Sequence, residues 1–214
     1  MIKAFYNDAR QCYRLKKLDI GEYAVIKRSG MCFHTHVFDA ENAGRLFLMG
    51  MKAFRGLMKM ETAVFTPTDL DGPIFSVDEV MTFGRSTLVL ELYDTTISHP
   101  DFNSLDQIKQ RYSFLPSYDP GDHPYYSFRL PVSDYKRGRR IKHDICTMAM
   151  EYSREYFRCL KNCSHIDSCS KKKRNAGFSD SLYQNGGPAV NQFKKMIGEA
   201  KTEEFLKKYM FCSV

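Results

Sequence analysis

Apolar and polar residues alternate along several stretches of the chain, which predicts β-strands because successive side chains of a strand point to opposite faces. Residues 22–28 and 31–38 alternate on either side of Ser29-Gly30, residue types that are typical of a turn. Four later segments alternate in the same way, namely residues 59–66, 74–82, 86–94 and 125–132. The short connections between these segments predict strands that pair with their neighbours in the chain.

Other segments carry apolar residues at steps of three and four, which is the period of an amphipathic helix. This period covers residues 40–58, 104–114, 133–160 and 188–210. Asp39 is the predicted N-cap of the first helix, and Gly198 is predicted to divide the last into a helix pair. Residues 161–175 are basic and carry thiols, and we predict a loop there.

The order of these elements indicates the fold class. Consecutive strands with helices outside them favour an α+β fold, in which helices pack against an antiparallel sheet, over a doubly wound parallel sheet. No repeat and no linker rich in Pro, Gly or Ser divides the 214 residues, so we expect one domain over residues 1–214. The chain contains neither G-x-G-x-x-G nor G-x-x-x-x-G-K-[ST], which argues against a Rossmann dinucleotide site and a P-loop.

The composition is typical of a folded cytoplasmic protein. Apolar residues make up 43% of the chain and aromatic residues 14%, which is enough to bury a sizeable core. The apolar runs are far shorter than the roughly 20 residues that span a bilayer. The first residues also lack the apolar segment of a secretion signal. We therefore expect a cytoplasmic location and no membrane partner.

Basic residues exceed acidic ones by 7, and many of them fall in two clusters, residues 136–142 and 171–174. Such an excess suits nucleic acid, a small anion or an acidic protein partner, or it serves only solubility. Because the sequence has neither an aromatic RNA-binding motif nor zinc-finger spacing, we expect no nucleic-acid partner.

Three of the seven cysteines lie close together in the sequence. Cys159, Cys163 and Cys169 surround His165, and thiols with an imidazole are ligand types for zinc or an iron–sulfur cluster. Their spacing, C-x3-C-x5-C, matches no standard site, so reduced and unligated thiols are the favoured interpretation and we expect no metal. Metal or nucleic-acid binding through these cysteines and the basic clusters stays open as an alternative function.

Two segments of the chain resemble one protein family. Residues 61–96 contain the pattern P-[IL]-F-x-x-D and then an apolar strand that ends in Asp-Thr. Residues 183–211 contain a Gly-Glu-Ala pivot between two amphipathic helices and end in Tyr-Met-Phe. In this order and spacing the pair resembles the ferredoxin-dependent bilin reductase superfamily. The resemblance implies a three-layer α/β/α sandwich, with a central antiparallel sheet and a linear tetrapyrrole held between the sheet and the C-terminal helices.

The resemblance also implies an activity and its partners. Members of the superfamily carry no metal or organic cofactor of their own. Reduced ferredoxin, or flavodoxin in its place, supplies electrons one at a time, while protein carboxyls and solvent supply protons through bilin radicals. For this chain it implies reduction of a linear tetrapyrrole such as biliverdin, with the basic residues around 136–142 attracting the acidic electron donor. The alternative is a protein that binds or carries the tetrapyrrole on the same scaffold without reducing it.

The catalytic aspartate of the superfamily, at the end of P-[IL]-F-x-x-D, falls on Asp78. Alternation puts Asp78 on the same strand face as Ile74 and Val80, which favours burial. Burial raises the pKa of a carboxyl, so that it can hold a proton near neutral pH. The position of a catalytic histidine in the preceding strand falls on Glu61, which we expect to be a second proton donor.

The resemblance implies further contacts with the substrate. Arg129 is a candidate for binding a propionate group, because guanidinium binds carboxylate with two hydrogen bonds. Ala63, Phe65 and Asn185 are the other predicted substrate contacts. The chain departs from well-known members at Met49, where they have a glutamate, so its set of proton donors is smaller.

Overall fold

The computed structural model describes residues 1–28 and 30–214, so Ser29 of the predicted turn lies outside the described residues. Eight strands form one antiparallel sheet, in which β1 and β2 both pair with β3 and the others follow in the order β3-β4-β5-β6-β7-β8. The strands are β1 (Leu15–Lys17), β2 (Val25–Arg28), β3 (Met31–Ala40), β4 (Gly44–Ala53), β5 (Met58–Pro67), β6 (Ile74–Thr82), β7 (Arg85–Tyr93) and β8 (Asp134–Arg139). The predicted antiparallel sheet of neighbouring strands is confirmed.

Helices cover both faces of the sheet. They are α1 (Ile2–Cys12), α2 (Ser104–Arg111), α3 (Lys142–Leu160), α4 (Ser168–Asn185), α5 (Pro188–Ile197) and α6 (Glu199–Glu204), which continues into a π-helical turn, Phe205–Met210. We call the face under α4–α6 the front face and the face under α1–α3 the back face. This arrangement confirms the predicted three-layer α/β/α sandwich. No helix within the described ranges is long and apolar enough to cross a membrane.

Each face of the sheet has its own apolar core. On the back face, Phe75 of β6 packs against Tyr156 of α3, with ring centroids 4.7 Å apart. On the front face, Tyr93 of β7 packs against Phe178 of α4 at 4.1 Å. Because side chains alternate along a strand, Ile74, Ser76 and Asp78 of β6 point to the front and Phe75, Val77 and Glu79 point to the back.

The helix predicted over residues 40–58 is wrong, because this segment contains the whole of β4. β4 lies between β3 and β5, and its residues are buried on both faces of the sheet. A strand that is covered on both sides carries a nearly continuous apolar run, which periodicity does not distinguish from a buried helix. Asp39 is accordingly part of β3 and not an N-cap, and it accepts a hydrogen bond from Arg45 Nε at 2.9 Å.

Three other segments differ from prediction. The strand predicted over 125–132 contains a short 3-10 helix, Pro124–Phe128, and the helix predicted from residue 133 begins only after β8, at Lys142. The loop predicted over 161–175 contains the first turns of α4, where Lys171 is fully buried. The predicted helix pair at the C-terminus is confirmed, with Gly198 at a φ of 84° between α5 and α6.

Two glycines of β4 differ in how much space surrounds them, which gives a test of the sheet. A methyl group on Gly44 would lie 2.3 Å from the carbonyl oxygen of Thr66 on β5, whereas one on Gly50 would have no neighbour within 4 Å. We expect Gly44→Ala to lower the free energy of unfolding by about 1–3 kcal/mol, because the two strand backbones must separate. For Gly50→Ala, the matched control, we expect a free energy of unfolding equal to that of the wild type or slightly higher. Urea unfolding measures both variants, and equal stabilities would contradict the close approach of β4 and β5.

Candidate active site

Asp78 lies on the front face of β6, between Thr62 of β5 and Val89 of β7. The hydroxyl of Thr62 donates a hydrogen bond to Asp78 Oδ1. Part of the residue reaches solvent, yet protein atoms surround its carboxyl on nearly all sides. Asp78 is therefore shielded from bulk water without being sealed off from it.

Burial raises the pKa of Asp78 to about 6, because the charged carboxylate loses hydration. The hydrogen bond from Thr62 acts in the opposite direction, since it stabilises the carboxylate. The negative charge of Glu91 raises the pKa further. A carboxyl with such a pKa exchanges its proton readily near neutral pH, which is the property of a general acid.

Glu91 lies on the front face of β7, and sequence reasoning missed it. It is buried and accepts hydrogen bonds from the hydroxyls of Tyr93 at 2.5 Å and Tyr135 at 2.6 Å. Tyr135 in turn accepts a hydrogen bond from Arg129 Nη1 at 3.0 Å. The signal in the sequence is the single acidic residue in the apolar strand LVLELY, since a carboxylate there requires buried donors.

Aromatic side chains from the segment between α2 and β8 extend this network along the front face. The guanidinium of Arg129 lies 4.1 Å above the ring of Tyr126, and that of Arg137 lies 3.9 Å above the ring of Tyr118. Burial raises the pKa values of Tyr118 and Tyr125, and the charges of both Glu91 and Asp78 raise them further. These tyrosines therefore remain protonated hydroxyls at neutral pH, next to two carboxyls and two guanidinium groups.

Arg129 is close to the network, although it does not lie in a strand of its own. It follows the 3-10 helix Pro124–Phe128 and forms a single bridge with Tyr93 at the end of β7. The residue is half-buried, and among the described residues its guanidinium has no hydrogen-bond partner besides Tyr135. Its remaining N–H groups are available to an anionic ligand.

The structure does not bring Glu61 to Asp78. The resemblance implied that Glu61 is a second proton donor, but the strand register pairs Thr62 with Asp78 and Glu61 with Glu79 on the back face. Glu61 contacts the amino group of Met1 at 2.8 Å. Burial alone would raise the pKa of Glu61, but hydrogen bonds from this ammonium and from the N–H of Ile2 outweigh burial and lower the pKa. Glu61, which we expected to be a second proton donor, is thus a carboxylate on the opposite face of the sheet from Asp78.

Ala63 and Phe65 share the back face with Glu61 and are fully buried there. Phe65 packs edge-on against Phe157 of α3, with ring centroids 5.1 Å apart. Neither side chain reaches the front face, so the structure separates these two predicted substrate contacts from Asp78. The physical reason is the same one-residue register difference that affects Glu61.

Asn185 lies at the exposed C-terminal end of α4, where its Nδ2 donates to the carbonyl of Ser181 at 2.8 Å. The turn that follows approaches Tyr125 closely, since a Cβ on Gly187 would lie 3.3 Å from the Tyr125 hydroxyl. Asn185 therefore lies at the edge of the helices that cover the front face. The turn after it contacts the segment of Tyr125, but Asn185 has no described contact with Asp78.

Two surface cavities lie away from Asp78. One, of about 270 Å³, lies beside Asp94 and His99, and the other, of about 390 Å³, beside Lys109 and Lys136. Burial would raise the pKa of Asp94, but hydrogen bonds from Thr96 and the nearby His99 lower it, so this carboxyl does not hold a proton near neutral pH. We assign the candidate active site to Asp78 because a protonatable carboxyl, shielded by protein atoms, lies there beside the network of Glu91, Tyr135 and Arg129.

The cysteine cluster shows no metal-binding geometry. Within residues 1–28 and 30–214, no three His, Cys, Asp or Glu side chains lie close enough together to hold a metal ion. Cys159 and Cys163 are buried beside the back-face core, whereas Cys169 is exposed on α4.

Comparison with known proteins identifies the fold. No family model matches the chain, and no curated protein is similar to it in sequence. Among solved structures, the chain is similar to a phytochromobilin synthase from tomato in complex with biliverdin. The TM-score is 0.81 and the identity 14%, and the match covers 100% of this chain and 82% of the tomato chain. The chain therefore has the fold of phytochromobilin synthase, which confirms the fold that the resemblance in the sequence implied.

Proposed function

We propose that the protein binds a linear tetrapyrrole on the front face of its sheet and reduces it with electrons from an acidic one-electron carrier such as ferredoxin. In this proposal Asp78 donates a proton to the pigment. Each reduced double bond takes up two electrons from the carrier and two protons. Asp78 supplies one proton and recovers it from water, and water supplies the other. The observation that carries the proposal is a carboxyl surrounded by protein atoms, with a pKa of about 6, in a fold whose tomato counterpart holds biliverdin.

The charges around Asp78 suit an open-chain pigment with carboxylate groups. Arg129 presents free N–H groups at the edge of the front face and is the proposed contact for a propionate. Tyr118 and Tyr126 are partly exposed, and the ring face of each that no guanidinium covers is proposed to stack against a flat pyrrole ring. Asn185, at the edge of the helices that cover the front face, is a further proposed contact.

The electron carrier is proposed to dock on the exposed basic residues around β8. Arg137, Arg139, Arg140 and Lys142 are exposed and attract an acidic protein through their charge. Lys136 does not belong to this surface, because it is buried and forms an ion pair with Asp134 at 3.2 Å. The basic cluster of the sequence is thus divided between the surface and the interior.

One observation favours the alternative of a carrier protein. Met49 of β4 and Thr62 of β5 lie in the same row as Asp78 across three adjacent strands, and neither donates a proton to carbon. Asp78 is then the one carboxyl of this row. A protein that binds the pigment without reducing it would need no second acid.

A spectroscopic experiment distinguishes the two functions. The purified protein is mixed with biliverdin under anaerobic conditions, and ferredoxin, ferredoxin reductase and NADPH are then added while the absorbance is followed. We expect a coloured complex whose spectrum changes only when the complete electron-transfer system is present. A bound pigment whose spectrum stays constant would leave only the carrier function, and failure to bind any linear tetrapyrrole would contradict both.

The two neighbours of Asp78 should shift its pH dependence in opposite directions. Turnover of the wild type falls as the pH rises through about 6, because Asp78 loses its proton there. Thr62→Val removes a hydrogen bond that stabilises the carboxylate, so the pH profile moves to higher pH by about one unit. Glu91→Gln removes a repelling charge, so the profile moves to lower pH. The pH dependence of single-turnover rates measures both shifts.

Thr66→Val is the matched control for the hydroxyl. Thr66 lies on the same strand and the same face as Thr62, but its hydroxyl bonds to the carbonyl of Met210 at 2.8 Å and not to Asp78. We expect its profile to coincide with that of the wild type. Shifts of the same sign in Thr62→Val and Glu91→Gln would show that the falling limb does not report Asp78.

A further inference from the structure

Two turns at one end of the sheet expose large apolar side chains. Phe54 and Leu57 lie in the turn between β4 and β5, and Phe83 lies in the turn between β6 and β7. Their exposed fractions are 62%, 58% and 70%. The N–H of Phe83 donates to the carbonyl of Leu57 at 3.4 Å, so the two turns are neighbours. We call Phe54, Leu57 and Phe83 the apolar tip.

The backbone holds two of these side chains outward at a conformational cost. Phe54 and Phe83 have φ angles of 51° and 49°, in the left-handed region that favours glycine. Each is close to a glycine in the same turn, Gly56 or Gly84, which adopts such angles without strain. A large apolar residue at these positions, exposed to solvent, serves neither the core nor the turn, which points to a binding surface.

Basic residues surround the apolar tip. Lys52, Arg55 and Lys59 of the first hairpin and Arg85 of the second are all exposed. The two hairpin segments, residues 51–60 and 81–87, contain no acidic residue. Apolar side chains within a purely cationic rim match a surface that is apolar inside and anionic outside.

We propose that the apolar tip inserts into the surface of an anionic lipid bilayer, with Arg55, Lys59 and Arg85 contacting the lipid head groups. This departs from the expectation of no membrane partner, which rested on the short apolar runs of the sequence and did not consider surface binding. Three separate projections suit a fluid bilayer, which closes around any shape, whereas a protein partner would need a matching groove for each. A second copy of the chain is disfavoured, because it would bring two cationic rims together. The cationic rim of the tip adjoins the basic residues around β8 that we assign to the electron carrier, because Arg85 of β7 pairs with Arg139 of β8. The proposal rests on the apolar tip and does not depend on the reaction at Asp78.

Vesicle sedimentation tests this surface. We expect the full chain to bind phosphatidylserine-rich vesicles at least tenfold more tightly than phosphatidylcholine vesicles, since each basic residue near an anionic surface adds to the affinity. Raising the ionic strength from about 0.1 M to about 0.5 M should release most of the bound protein. The double variant Phe54→Ser with Phe83→Ser should bind at least tenfold more weakly, as should the charge reversal Arg55→Glu with Arg85→Glu.

Phe114→Ser is the matched control. Phe114 is 69% exposed but follows α2, outside the apolar tip, and its loss should leave vesicle binding unchanged. Equal binding of wild type and the double phenylalanine variant, or equal binding to both kinds of vesicle, would overturn the proposal. A third outcome would also overturn the proposal. If the chain self-associates, or binds an acidic protein but not vesicles, and this binding disappears in the double phenylalanine variant, the tip belongs to a protein partner instead.

Discussion

Replacing Asp78 with asparagine is expected to lower the turnover of bound biliverdin by about 10² to 10⁴-fold, the usual contribution of a general acid. The amide keeps the shape of the side chain and can still pair with Thr62, but it carries no transferable proton. Binding of the pigment should persist, because the proposed contacts of its carboxylates and rings lie elsewhere, at Arg129 and the tyrosines. Single-turnover absorbance measurements with pre-reduced ferredoxin separate binding from reduction.

Glu79→Gln is the matched control for this substitution. It makes the same acid-to-amide change on the adjacent residue of β6, but Glu79 points to the back face, where Cys146 lies 3.6 Å from its Oε2. We expect its turnover to equal that of the wild type. If Asp78→Asn turned over at the wild-type rate, Asp78 would lose its assigned role even though the pigment is reduced.

Replacing Lys171 with methionine is expected to lower the free energy of unfolding by about 3–5 kcal/mol. Lys171 is fully buried, and its Nζ donates to the carbonyls of Gly72 at 2.6 Å and Thr95 at 2.7 Å. Burial lowers the pKa of Lys171 to about 8, although the charge of Asp71 partly compensates. Methionine fills similar space but leaves two buried carbonyls without a donor, and Asp71 without its nearby cation.

Lys172→Met provides the control, because Lys172 is the next residue of α4 and is exposed. Its stability should stay within about 0.5 kcal/mol of the wild type. Denaturation with urea, followed by circular dichroism, measures both variants. Equal stabilities of the two variants would show that Lys171 does not anchor α4 to the loops that follow β5 and β7.

The position of Asp78 could be predicted from local sequence alone. β6 is an alternating strand, so its period assigns Asp78 to one face together with Ile74 and Val80, and in the structure that face is the front face. The same reasoning predicted β5 and β7 and the helix pair around Gly198, because alternation and glycine turns are short-range signals. It failed for β4, where burial on both sides removes the alternation.

The neighbours of Asp78 could not be predicted, because they depend on register. Moving one residue along β5 exchanges Glu61 for Thr62 and transfers the side chain to the other face of the sheet. No local pattern fixes that register to a single residue. The network of Glu91 with Tyr135 and Arg129 is likewise formed across 44 residues of sequence, from a strand, a second strand and a loop.

The sequence by itself thus determined which segments alternate, which strand carries the buried carboxyl, and that basic charge is in excess. Only the tertiary structure decided which basic side chains are buried and which lie on the surface. Lys136 and Lys171 are buried, whereas Arg55 and Arg85 are exposed beside the apolar tip. The physical reason is that periodicity reports only the contacts between residues close in the chain. Burial, register and pKa depend on partners that folding brings from far away.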